Sequence, residues 1–81
     1  MSADQDFREL RTHMNRQLHL EFNDGEIVEA ILLGASPGRD RDITYEVTRI
    51  IKVAAPRAKG TEIGGTCVAP LDDLKAWRAL G

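Results

Sequence analysis

His13, His19 and Cys67 have the side chains with the widest chemical repertoire in this chain. An imidazole beside a thiol can activate a nucleophile, and two imidazoles with a thiolate make a zinc-type donor set. Their spacing argues against both uses. There is no His-x-x-x-His or Cys-x-x-Cys pattern, and Cys67 lies in the apolar run "TCVA", where a thiol behaves as a small hydrophobe. A lone cysteine forms no internal disulfide, so a reducing cytoplasm is the expected compartment. "RDRD", Arg39 to Asp42, offers two carboxylates, but alternating signs read as a solvated loop that neutralises itself. "KGTEIGGT" is Gly-rich yet lacks the Gly-x-x-x-x-Gly-Lys-Ser/Thr order that cradles phosphate. The expectation is a non-enzymatic protein with no catalytic residue, no metal and no cofactor.

Binding chemistry is better represented. Arg49, Lys52, Arg57 and Lys59 form a basic cluster that can meet phosphates, with Tyr45 as the nearby stacking residue, so RNA is one expected partner. The overall charge gives no bulk support for it, since 11 basic and 13 acidic residues leave a net −2. The other expected surface is Trp77 with Asp72 and Asp73, an aromatic anchor beside carboxylates suited to a protein partner. Neither a signal peptide nor a membrane span is expected, because Met1 leads into the polar run "SADQDFRE" and no long apolar stretch occurs.

These residues need elements to hold them. At 81 residues the chain has the length of one small domain, for which a stability of about 4–12 kcal/mol is expected. Phe7, Leu10 and Met14 are spaced i, i+3, i+7, predicting a helix from about Ala3 to Thr12 with Asp4 and Asp6 near its positive end. The period then changes to two, as Leu18, Leu20 and Phe22 alternate with His19 and Glu21.

"NDG" closes a hairpin, through either a two-residue Asp24-Gly25 turn or a three-residue loop with a bulge. The shorter loop sets Leu20 opposite Glu29. The longer one sets Leu20 opposite Val28, Leu18 opposite Ala30 and His19 opposite Glu29, and is preferred. Val28, Ala30 and Leu32 then face one core while Ile27, Ile31 and Leu33 face the other way, so a second cover is expected from two flanking helices. A rival reading makes residues 26–33 a short helix capped by Asn23, but it leaves the preceding strand without its partner.

"GASPGRDRD" reads as a loop. "ITYEVTRIIKV" reads as a strand whose alternation slips after Arg49, where a bulge or bend is expected. "AAPRAKGTEIGG" is a second expected loop, a mobile one, and "TCVA" a short last strand. "PLDDLKAWRALG" predicts a C-terminal helix with Pro70 at its entry, Asp72 and Asp73 in its first turn and an apolar stripe of Leu71, Leu74 and Trp77.

This order of elements describes a small curved antiparallel barrel with a helix at each end. "LHLEFNDGEIVEAIL" resembles the first motif of Sm-like proteins, with Leu18, Leu20, Phe22, Gly25, Val28, Ala30 and Leu32 matching its pattern and Ala30 standing where that family usually has Gly. "EIGGTCVAPL" looks like the second motif. The family's RNA pocket is not matched, because "GASPG" has neither acid nor amide and Gly64 takes the place of the motif's Arg. The layout is also similar to the small bacterial modulators of Rho-dependent termination. The resemblance implies an Sm-like or Src-homology-3-like barrel, a protein-interaction role that is regulatory or adaptor-like, and the option of homo-oligomers.

Overall fold

The computed structural model describes residues 3–36, 41–53 and 62–80. Helix α1 (Ala3–Arg11) precedes strands β1 (Gln17–Phe22), β2 (Ile27–Ser36), β3 (Asp42–Lys52), β4 (Thr66–Pro70) and β5 (Leu74–Ala79), with a 3-10 turn over Leu71–Asp73. The strands form one antiparallel sheet in the order β4-β3-β2-β1-β5. Residues 37–40 and 54–61, with half of "RDRD" and most of the segment expected to be mobile, lie outside the described residues.

The first hairpin follows the longer loop. Phe22 N–H donates to the Glu26 carbonyl at 2.8 Å and Gly25 N–H to the Phe22 carbonyl at 3.0 Å, leaving Asn23, Asp24 and Gly25 in the loop. Gly25 takes φ 96°, a left-handed value that costs glycine nothing, while Asp24 Oδ1 accepts the Glu26 N–H at 3.0 Å. The register is Leu20 opposite Val28, His19 opposite Glu29 and Leu18 opposite Ala30. Residues 27–36 are therefore extended, and the helical rival for 26–33 is excluded.

Alternation along each strand gathers one core. Leu18, Leu20 and Phe22 meet Val28, Ala30 and Leu32, then Ile43, Tyr45 and Val47, with Ala69 and Leu71 completing it. Phe7 and Leu10 of α1 bury against the same core. The slip expected near Arg49 is present: the β2–β3 register shifts between Glu29 and Ala30, passing over Thr48, whose hydroxyl donates to the Glu29 carbonyl at 3.0 Å. Such an insertion bends the strand and tightens the sheet's curl over its core.

Two expectations fail. The stretch 71–80 is not a helix, and β4 is not the last strand: after one 3-10 turn, Leu74 is extended at φ −86°, ψ 120°, and β5 pairs antiparallel with β1. The apparent helical stripe has a different origin. Phe22 pairs with Leu74 and Glu21 with Ala76, so Lys75 is the extra residue at a bulge. That insertion lets Leu74 and Trp77, three apart, both pack against the core. A helix would have satisfied only its own backbone, whereas β5 pairs the second edge of β1, 52 or more residues earlier in the chain.

The expected helical cover over the outer side of β2 is likewise absent among the described residues. Ile27 and Ile31 are half-buried and Leu33 is 43% exposed. Phe7 and Leu10 of α1 are committed to that core, and the described residues form no second α-helix to replace it. No described helix is long and apolar enough to cross a membrane.

Candidate functional site

The residues with reactive side chains are not assembled. His13, in the turn after α1, sets its ring edge-on to Trp77, with centroids 5.4 Å apart. His19 stands on the outer face between Glu29 of β2 and Arg78 of β5, and its Nδ1 is buried with no hydrogen-bond partner among the described residues. Cys67, on β4, is half-buried opposite Tyr45. Among the described residues no group of three or more His, Cys, Asp and Glu is placed to hold a metal ion.

The interior does carry a polar group that periodicity hides. Tyr45 is only 2% exposed, its ring 5.7 Å from that of Phe22. Burial raises its hydroxyl pKa well above the ordinary 10.0, helped by Cys67, Glu26 and Asp24. Glu26, at the entrance to β2, is buried at 3%. Sequence reasoning did not place it in the core.

The expected RNA surface is divided. Arg49 and Lys52 are exposed near the end of β3, opposite Glu29 and Ile27. Arg57 and Lys59 lie outside the described residues. Tyr45, buried in the core, presents no ring face for stacking.

The expected protein-binding trio is divided as well. Asp72 and Asp73 are exposed on the 3-10 turn and join the first hairpin, where Asn23 Nδ2 donates to the Asp72 carbonyl and Asn23 N–H to the Asp73 carbonyl, both at 2.8 Å. Phe22, Asn23, Asp24 and Asp73 line a depression of about 170 Å³ there. Trp77 lies elsewhere, half-buried on β5 opposite Leu20. Lys75 Nζ reaches Glu21 Oε1 at 3.8 Å, an exposed pair that contributes about 0–1 kcal/mol.

What the fold does leave open is backbone. Antiparallel neighbours alternate between pairs that exchange hydrogen bonds and pairs that do not. Val47 N–H donates to the Gly65 carbonyl and Leu71 N–H to the Arg41 carbonyl, and the register between them is unbroken. Cys67 and Ala69 therefore bond to β3, while the backbone groups of Thr66, Val68 and Pro70 point to the free side. Pro70 fits this phase, since it lacks an N–H to offer. On β5 the bond from Leu80 N–H to the Gln17 carbonyl sets the same alternation, leaving Trp77 and Ala79 with outward backbone groups. No described strand pairs with the second edge of β4 or of β5. Sequence reasoning missed these edges because which strands are outermost is a property of the assembled sheet.

Comparison with protein-family models, with curated proteins and with solved structures finds no match to this chain.

Proposed function

We propose that this chain is an Sm-like, Src-homology-3-like small barrel that acts as a non-enzymatic protein-interaction module, a regulatory or adaptor protein of bacterial type, by adding a partner's strand to an open sheet edge. The single observation carrying this reading is the pair of edges that no described strand covers, at Thr66 and Val68 on β4 and at Trp77 and Ala79 on β5. Such edges supply main-chain hydrogen bonds for affinity and alternate side-chain positions for selectivity. The strand order, the leading helix and the 3-10 turn before β5 support the barrel assignment, together with the first-hairpin motif.

The test compares the unaltered chain with Val68→Pro and Ala79→Pro, by light scattering and by affinity capture from native cell extract. Each proline removes an outward N–H without deleting a bond inside the sheet. A partner, or a second copy, retained by the unaltered chain and lost with one of the prolines supports the module. A strict monomer retaining nothing at micromolar concentration, or retention indifferent to both prolines, refutes it. Salt-sensitive binding of single-stranded RNA that requires Arg49 and Lys52 would replace it with a phosphate-led reading.

A further inference from the structure

The two edges differ in what surrounds them. On β4 the residues with outward backbone groups also place their side chains on the sheet's outer face. Val68 is 64% exposed there and Thr66 is exposed. Their partners on β3 are Thr44 for Val68, Glu46 for Thr66 and Asp42 for Pro70, so carboxylates stand one strand in from the edge at both ends. Glu62, exposed in the turn before β4, adds a third near the Thr66 end. Arg41 lies at the opposite end, its carbonyl bonded to Leu71 N–H.

Resting on the edge-binding reading, we propose that β4 accepts an extended basic segment of another protein, with an apolar β-branched residue beside Val68 and a Lys or Arg beside Thr66. A strand added here lies about 4.8 Å from β4 and roughly 9–10 Å from β3. A long basic side chain spans that second distance across Thr66, which is small, and meets the Glu46 carboxylate. The β-branched neighbour covers Val68, the apolar surface that β4 leaves in water. Pro70 offers no donor at one end and the Gly64-Gly65 turn stops the strand at the other, so the contact is short and its selectivity rests on these two side-chain positions.

The test uses short labelled peptides with valine and lysine two residues apart on one face of the strand and threonine between them (Thr-Val-Thr-Lys-Thr), the same peptides with glutamate for lysine, and the lysine peptide with N-methylated backbone, read by fluorescence anisotropy. The lysine peptide is expected to bind about five- to tenfold tighter than the glutamate peptide, as one contact changed from attractive to repulsive against Glu46 allows. N-methylation and Val68→Pro are expected to abolish binding. Val68→Lys keeps the backbone and is expected to weaken it, which guards against misfolding of the proline variant. Glu46→Gln is expected to remove most of the charge preference.

Equal or better binding of the glutamate peptide overturns the basic partner while leaving the edge reading standing. Lysine-peptide binding indifferent to Val68→Pro, Val68→Lys and N-methylation overturns the edge reading too. Peptides that do not bind, with self-association of the chain dissolved by Val68→Lys, make the occupant a second copy and also overturn the proposal.

Discussion

Leu32 and Leu33 are adjacent leucines on one strand, and replacing each with alanine tests the one-sided core directly. Leu32 is 0% exposed in the core, whereas Leu33 is the extra residue at a register shift and is 43% exposed. Leu32→Ala removes buried methyl groups and leaves a cavity in a packed interior, costing about 3–5 kcal/mol. Leu33→Ala loses part of a half-buried surface and makes no cavity, costing about 0.5–1.5 kcal/mol. Against a total of about 4–12 kcal/mol, the first change takes a large share of the stability and the second a small one. At about 4–8 °C per kcal/mol for a chain of this size, Leu32→Ala lowers Tm by roughly 12–40 °C. Urea unfolding followed by the fluorescence of Trp77 and by far-ultraviolet circular dichroism reads both variants. Equal losses would refute the reasoning, because they would mean that the outer side of β2 is covered as thoroughly as the inner.

The other expected outcomes concern the hairpin, the helix contact and the buried phenol. Gly25→Ala should cost about 1–2 kcal/mol although a Cβ there meets nothing within 4 Å, because φ 96° is itself the penalty; Gly25→Asn should cost less, and equilibrium unfolding distinguishes them. His13→Ala removes the ring set against Trp77 and should shift the tryptophan emission to longer wavelength, while an unchanged spectrum would separate the turn after α1 from β5. Tyr45 is the chain's one tyrosine, and its folded pKa lies above its unfolded value, so its contribution to stability is complete below about pH 10 and is lost as pH rises beyond that. The phenolate absorbance of the folded protein should therefore appear later in an alkaline titration than in urea, and Tyr45→Phe should flatten that part of the stability profile.

The hairpin register was legible because its causes are local. A period of two, a glycine at the one loop position with positive φ, and the mismatch of Leu20 with Glu29 leave one comfortable pairing, and Leu20 sits opposite Val28. The break near Arg49 was legible for the same reason, as the apolar alternation itself slips there and the register shifts at the neighbouring Thr48. The candidate binding edges were not legible. Thr66, Val68, Trp77 and Ala79 differ from paired residues only in having no described neighbour on one side, which no spacing encodes.

The sequence by itself determined that this is a β-rich chain with a leading helix, an Asp-Gly hairpin in a fixed register, and Leu18, Leu20, Phe22, Val28, Ala30 and Leu32 turned to one core. Tertiary structure alone decided that residues 74–79 are a strand. Leu71, Leu74 and Trp77 fit a helical stripe, and nothing nearby in the sequence forbids it. The free edge of β1 tips the balance, since pairing it satisfies backbone groups across a long stretch of chain, and one bulge turns both Leu74 and Trp77 inward. Local spacing records which residues must be buried together; it does not record which distant backbone is waiting for a partner.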